Sequence, residues 1–451
     1  MAVLFRELDR SAGVLPASPR FLSVAVIPFE TEWITEASPQ SVRFETKPLR
    51  QFFQRCEEES LCFGFVHNHP TGYDRFSDVD EENERTLLRA LSNRNGPAST
   101  LVALLWTGER WLGRIRRASQ PGRPVAARHV SVVGRPFSVH LPTPQLGPTA
   151  GHLARQAIAF GRPFAASLGS LRVGVVGCGG TGSPLATLLA RSGVGELILF
   201  DPDHLEESNL NRVRGARKSD IGKNKAQLLS RYINKLGLPS TAVPVPSRLD
   251  DNFTAVEALS TADIIFGCTD DYAGREALNK ACYAYLQPLI DMGIGGLISE
   301  NAHGEPVLRS HSGRLSCVLP ERGACLFCQR VITRDWIKHQ LAVRRDPQRA
   351  AAEVAEGYLV GGGEAAPGVG PFTGAVADLA VTTFFDLIQP FRRLPPSLLF
   401  DRIFLNFITM EFESAEIAKD ADCPFCGTRD FLSMREENYL LGRPILRQSN
   451  G

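Results

Sequence analysis

Short apolar runs punctuate the middle of the chain, and each stops where polar residues begin. Val173–Val176, Glu196–Phe200 and Asp263–Cys268 have the length and composition of buried strands. The first runs into Gly177-Cys-Gly-Gly-Thr-Gly182, and beyond Pro184 the stretch Leu185–Ser192 reads as a helix. Gly177, Gly179 and Gly182 let the backbone turn tightly and approach a phosphate at a helix N-terminus. The second run ends in Asp201, at the distance past the glycines where a carboxylate meets ribose hydroxyls. Strand, loop and acid make a Rossmann half-site, which predicts an α/β fold with a mostly parallel sheet.

The residues after Asp201 argue against the dehydrogenase that most often owns this pattern. Asn209, Arg212 and Lys225 follow within one short polar stretch. Amide and cationic donors there suit a triphosphate better than a nicotinamide ring. The third run leads into Thr269-Asp270-Asp271, a carboxylate at the C-terminal end of a strand, where ligands of open α/β sheets sit. Beside a triphosphate, that carboxylate is a natural magnesium anchor.

Upstream, Phe63–Pro70 is a strand with period-two spacing that delivers His67 and His69 to one side. An acidic helix is predicted over Asp78–Leu91. His67, His69 and Asp80 form a three-ligand zinc set with room for an activated water. Two cysteine couples, Cys325-Leu-Phe-Cys328 and Cys423-Pro-Phe-Cys426, supply four thiolates, enough for a closed structural zinc site. Their wide separation pairs them only weakly by spacing.

The 451 residues exceed what one hydrophobic core usually serves. Pro, Gly and Arg become frequent over Arg114–Gly151, which marks a boundary. A formal net charge of +1 gives no reason to expect nucleic acid as a partner. No apolar run of membrane-spanning length and no signal peptide is evident, so the expectation is a soluble cytoplasmic protein without a membrane partner. Ten cysteines in such a chain favour metal over disulfides. A renewed helical run is expected over Gly374–Gln389, preceded by a flexible stretch, Gly361–Pro371.

The set GCGGTG at 177–182, DPD at 201–203, SNLNR at 208–212, GKNKA at 222–226 and CTDD at 268–271 resembles the ThiF and MoeB type of adenylating enzyme. That family includes the ubiquitin-activating enzymes. The resemblance implies that Gly177, Gly179, Gly180, Gly182, Asp201 and Asp203 surround ATP, with Asp201 on the ribose. It implies Asn209, Arg212 and Lys225 on the phosphates, Lys223 being an alternative to Lys225, and Asp270 on magnesium. It further implies a homodimer, in which Arg155, with Arg162 as the lesser alternative, reaches into the partner's site. The reaction implied is attack by the C-terminal carboxylate of a ubiquitin-like β-grasp protein on ATP. Many ThiF-type enzymes carry two cysteine couples in this order, which supports one structural zinc on Cys325, Cys328, Cys423 and Cys426.

HxHP followed by SxxD resembles the JAMM (JAB) metalloprotease motif, with His67, His69 and Asp80 as zinc ligands and Ser77 as an oxyanion donor. Its general base falls to Glu7, with Glu30, Glu32 and Glu45 behind it; without a base the domain is a docking module. The organisation expected is a smaller α+β JAMM/JAB-like domain at 1–117, a linker at 118–150 and a ThiF-type adenylation domain at 151–445. Such fusions resemble proteins of bacterial ubiquitin-like conjugation systems, some of which act in antiviral defence.

No cysteine lies between Cys328 and Cys423, where relatives that form a thioester keep their nucleophile. Cys317 is one substitute, and Cys178 and Cys268 read as packed residues. Direct transfer to a separate conjugating enzyme or a sulfur donor is the preferred course. Two other activities stay open: processing or deconjugation by the JAMM zinc site, and sulfur-carrier activation.

Overall fold

The computed structural model describes residues 1–8, 19–37, 42–45, 47–70, 72–134, 136–143, 150–249, 252–320, 322–355, 368–392 and 401–428. They fall into two compact units. Residues up to Val132, with Ser138–His140, form the first; Val133–Phe137 and the residues from 150 onward form the second. Most of the stretch expected to be flexible, Gly361–Pro371, lies outside the described residues.

Unit 1 begins with β1 (Ala2–Leu8), β2 (Arg20–Ile27), β3 (Ile34–Ala37), β4 (Val42–Phe44), α1 (Leu49–Glu58) and β5 (Cys62–Asn68). It continues with α2 (Asp78–Asn95), β6 (Thr100–Trp106), β7 (Trp111–Arg117), β8 (Val125–Ala126), β9 (Val130–Val132) and β10 (Ser138–His140). The main sheet has the order β2-β1-β5-β6-β7-β8, with only β5 and β6 parallel. Its core gathers Leu4, Phe63 and Leu101 from the sheet with Phe53 of α1 and Leu88 of α2. α2 starts at a capping box, Ser77 and Asp80 each bonding the other's backbone N–H. Within it, Glu84 is buried between Arg114 and Arg116.

The linker expected at 118–150 is corrected. β8 pairs with β7, and β9 with β10, so this stretch contributes strands to unit 1. Runs of two and three residues are too short to show a period, and the intervening Pro and Gly hid them.

Unit 2 opens with α3 (Ala154–Phe160), α4 (Arg162–Ser170), β11 (Arg172–Val176), α5 (Gly182–Arg191), β12 (Glu196–Phe200) and α6 (Lys225–Asn234). Then come β13 (Thr241–Val245), α7 (Phe253–Ser260), β14 (Ile264–Gly267), α8 (Tyr272–Ala284), β15 (Leu289–Glu300) and β16 (Pro306–Val318). Last are α9 (Arg334–Arg345), α10 (Pro347–Ala355), α11 (Gly370–Ile388), β17 (Arg402–Asn406) and β18 (Glu411–Ala415). One sheet carries all eight strands in the order β13-β12-β11-β14-β15-β16-β17-β18. β13 to β15 pair in parallel, and β16 to β18 add antiparallel strands. The sheet is therefore mixed, against the expected mostly parallel one. The antiparallel half was hidden because β15 and β16 carry glycines and polar residues instead of an unbroken apolar run.

Val173, Leu197, Leu199, Ile264 and Phe266 are wholly or almost wholly buried and form the centre of this sheet. α11 is long and apolar enough to cross a membrane by length and composition alone. Its Val376, Ala377, Ala380 and Phe384 are buried, Phe384 packing edge-on to Phe266 at 5.7 Å, as in a core helix.

Candidate adenylation site and metal centres

The glycine turn joins β11 to α5 at the C-terminal edge of the parallel strands. Gly177 has φ of +97°, and a Cβ there would lie 2.5 Å from the Cys268 carbonyl. Gly182 is tighter still, since a Cβ would meet the Gly177 carbonyl at 1.8 Å. Gly179 faces open space, and Gly180 receives the stem of Arg212, whose Cδ a Cβ would meet at 2.9 Å.

Asp201 caps the edge of the turn. Its Oδ2 accepts from Cys178 N–H at 2.7 Å and its Oδ1 from Asp203 N–H at 2.9 Å. Burial pushes its carboxyl above the usual range, against the pull of both N–H donors and Lys225. Lys225 Nζ lies 3.2 Å from Asp203 Oδ2 with its side chain 14% exposed, whereas Lys223 is 47% exposed and paired with Asp220. Arg212 donates to the Ser208 carbonyl at 2.7 Å and to Asn211 Oδ1 at 3.1 Å. Asn209 is buried and its Oδ1 accepts from Glu206 N–H, shaping the loop that presents Arg212. Asp270 is exposed just past β14. Arg155 and Arg162 are exposed on α3 and α4.

Three positioning side chains escaped the sequence reading. Asn224 Nδ2 donates to the carbonyls of Asp201 and Asp203, while its Oδ1 caps α6 through Gln227 N–H. An Asn just before a helical run is the signal that could have found it. Ser183 Oγ donates to the Gly179 carbonyl and accepts from Arg214 N–H, fastening the glycine turn to the loop after Arg212. Asp271, beside Asp270, caps α8 and pairs with Arg248 and Arg344.

The cysteines sort clearly. Burial pushes the thiols of Cys178 and Cys268 well up, which suits small packed residues and not nucleophiles. Cys317 pairs with Ile290, itself level with Phe266, on a strand three places from β11, or about 14 Å across the sheet. Its side chain lines a cavity of about 280 Å³ together with Asp386, Leu387 and Lys419, and no glycine-turn residue lines that cavity. Cys317, weighed above as a substitute nucleophile, thus stands apart from the turn, which agrees with the preferred course of direct transfer. Its apolar neighbours in sequence reflect a mid-sheet position away from the turn.

The two cysteine couples come together. Cys325 and Cys423 Sγ are 3.6 Å apart, Cys328 and Cys426 Sγ 3.4 Å apart, and all four sulfurs lie within 4.8 Å of one another. Hydrogen bonding from the Cys325 thiol draws Cys426 down to about 5, while Cys325 is pushed up by that bond and by burial. Four sulfurs in this compact arrangement fit a tetrahedral metal with no open position.

In unit 1, His67 Nε2 lies 3.0 Å from Asp80 Oδ1, and His69 Nε2 lies 3.2 Å from Asp80 Oδ2. Burial raises the Asp80 carboxyl, but hydrogen bonds from His67 and Ser77 outweigh it and hold it below the usual range. Ser77, expected as an oxyanion donor, gives its hydroxyl hydrogen to Asp80 Oδ2 at 2.8 Å, beside the two bonds of the capping box. One expectation here is corrected. Glu7, expected as the base, lies at the far end of the sheet. Phe5 is level with Cys62 and Ala2 with Phe65, so Glu7 and His67 are about 20 Å apart along the strands. Glu7 pairs with Arg117 instead. β1 runs antiparallel to β5, and that reversal was not readable from the leader sequence.

The sheet, the glycine turn and the acid at the end of β12 together define a nucleotide-binding α/β protein of Rossmann-like type. The ThiF family model matches residues 153–425, more than half of the chain, and the chain belongs to the ThiF family. It is similar to the sulfur carrier protein ThiS adenylyltransferase of Escherichia coli (strain K12), 35% identical over 125 residues, which are 27% of this chain and 49% of that protein. It is also similar to the SAMP-activating enzyme E1 of Haloferax volcanii, 26% identical over 271 residues, 60% of this chain and 86% of that one. The chain thus spans about half the length of the first of these relatives. Among solved structures it resembles E. coli MccB with ATP, at 21% identity and a TM-score of 0.46, over 62% of this chain and 75% of that one.

Proposed function

We propose that unit 2 adenylates the C-terminal carboxylate of a small ubiquitin-like or sulfur-carrier protein of β-grasp type. A carboxylate oxygen attacks the α-phosphorus of ATP. The bond from that phosphorus to the bridging oxygen breaks, and pyrophosphate leaves with the electron pair, giving an acyl adenylate. The attacking carboxylate is already ionised near neutral pH, so no general base is required. One convergence carries this reading: around a single glycine turn stand the buried Asp201, the stem of Arg212 on Gly180, and Lys225 beside Asp203.

In this reading Asp201 holds the ribose, while Arg212 and Lys225 meet charge that grows on the departing pyrophosphate, which favours the transition state over the ground state. Asp270 holds magnesium, whose charge neutralises phosphate oxygens when bound. Arg155 of a second copy completes the site in a homodimer. The Cys325, Cys328, Cys423 and Cys426 cluster holds a structural zinc. With Cys317 remote, the adenylate passes directly to a separate conjugating enzyme or a sulfur donor. The names of the similar proteins support both a ubiquitin-like and a sulfur-carrier acceptor.

The test is ATP–pyrophosphate exchange with small β-grasp proteins encoded nearby. Exchange that survives His67→Ala and disappears in Asp270→Ala supports the reading; equal exchange in Asp270→Ala and wild type sinks it.

A second reading concerns unit 1, where the spacing of His67, His69 and Asp80 favours a bound zinc. A JAMM-type protease also needs a base. Glu7 is out of reach, and Glu30, Glu32 and Glu45 are exposed. The unit therefore serves better as a zinc-stabilised docking module than as a protease. Purified protein should carry two zinc ions per chain, with one lost in His67→Ala. Cleavage of a ubiquitin-like fusion by wild type but not His67→Ala would overturn the docking role.

A further inference from the structure

Asp270 is assigned to magnesium, but the residue after it has no part in the chemistry above. Asp271 nevertheless gathers donors from three elements. Its Oδ1 accepts from Ala273 N–H of α8 at 3.0 Å and from Arg344 Nη2 of α9 at 2.5 Å. Its Oδ2 accepts from Arg248 Nη2, in the loop after β13, at 3.1 Å. Gly274 leaves room for this carboxylate, because a Cβ there would stand 3.1 Å from Oδ2.

The next two residues hold the same helix. Tyr272 packs on Trp336 with ring centroids 5.4 Å apart, and Ala273 N–H also donates to Gln340 Oε1 at 3.2 Å. Trp336, Gln340 and Arg344 are spaced by four, so they form one face of α9 over about two turns. Asp271 to Tyr272 to Ala273 therefore grips successive turns of α9 immediately beyond Asp270.

The charges have a further effect. A second carboxylate adjacent to Asp270 would repel a triphosphate, but Arg248 and Arg344 neutralise it. The side chains of Asp271 and Arg344 are 13% and 27% exposed, so solvent screens the pair only in part. Asp270 is left exposed beside them, facing solvent as a carboxylate open to a cation.

We propose that Asp271 is a positioning residue, a clamp that fixes α9 to the segment carrying Asp270 and so sets the place of the Asp270 carboxylate for magnesium. This rests on the reading of unit 2 as an adenylating centre. The clamp acts on Asp270 through the backbone that they share and on α9 through Arg344.

The test uses the full chain as wild type, Asp271→Asn, Arg344→Ala and the double variant. Asp271→Asn keeps an oxygen to cap α8, so it removes charge without removing the cap. Two quantities are read: hydrogen–deuterium exchange of the α9 amides, and the affinity for ATP with and without magnesium. Each single variant should speed α9 exchange by about tenfold and reduce the affinity gained from magnesium by about tenfold, with magnesium-free ATP unchanged within about twofold. The double variant should be no worse than either single one, because the two residues act as one unit. Unchanged α9 exchange, effects that multiply in the double variant, or an unchanged magnesium gain beside altered α9 exchange would each overturn the clamp. A wild type that binds no magnesium–ATP, with α9 exchange still dependent on both residues, would remove the adenylation reading and leave the fastening of α9 standing.

Discussion

Single side chains at the glycine turn have distinct expected signatures. Asp201→Asn keeps the shape but removes the charge that receives Cys178 N–H, so the KM for ATP should rise about 10- to 100-fold while the fold persists, as pyrophosphate exchange at varied ATP would reveal. Gly182→Ala places a methyl group 1.8 Å from the Gly177 carbonyl, where backbone cannot yield cheaply. It should cost about 3 kcal/mol or more in urea unfolding and abolish exchange, whereas Gly179→Ala, which faces open space, should leave stability unchanged. The glycine turn and Asp201 were legible in the sequence because glycine conformation and strand-end acids are local properties. Asp271 was not, since its meaning depends on Arg344, far along the chain. Glu7 was misread for a similar reason: a glutamate's distance from a histidine depends on strand direction, which the leader does not reveal.

At the level of elements, the buried strands were the most legible feature, with β12 found at Glu196–Phe200 as read and β11 and β14 within a residue of their apolar runs at each end. Ser77 and Asp80 announce α2 through their box, and Asn224 could have announced α6. The short strands of 118–150 and the antiparallel β15–β18 were not legible, because their stability comes from neighbours across the sheet and not from their own pattern. The fastening of α8 to α9 predicts a pH dependence. Burial raises the Asp271 carboxyl, but Arg344 and then Arg248 outweigh it and hold it below the usual carboxylate range. A carboxyl depressed in the folded state stabilises the fold above its unfolded value, near 3.9, and that stability is lost as pH falls through the folded value. Urea midpoints should fall between pH 5 and pH 3 in wild type, and fall less steeply in Asp271→Asn. Parallel curves for the two proteins would show that the pairs contribute nothing to the acid limb.

Across the whole chain, two units each keep their own core and their own cluster of side chains that could hold a metal ion. Zinc in the four-cysteine cluster would tie segments 98 residues apart. Cys423→Ser should therefore cost about 4 kcal/mol or more, lowering Tm by about 10 °C in a calorimetric scan, with loss of one zinc by mass spectrometry. An unchanged Tm would mean that packing around Phe327 and Phe425, stacked at 5.6 Å, holds these segments without metal.

The wide spacing of that cluster also has a consequence for synthesis. All strands of the parallel half, and the glycine turn they carry, leave the ribosome well before Cys423 and Cys426 do. The nucleotide cradle can assemble on a nascent chain whose last two thiolates are still inside the exit tunnel. With zinc as the proposed occupant, closing the cluster follows assembly of the cradle, so a cell short of zinc would accumulate chains able to cradle a nucleotide with these two segments still untied.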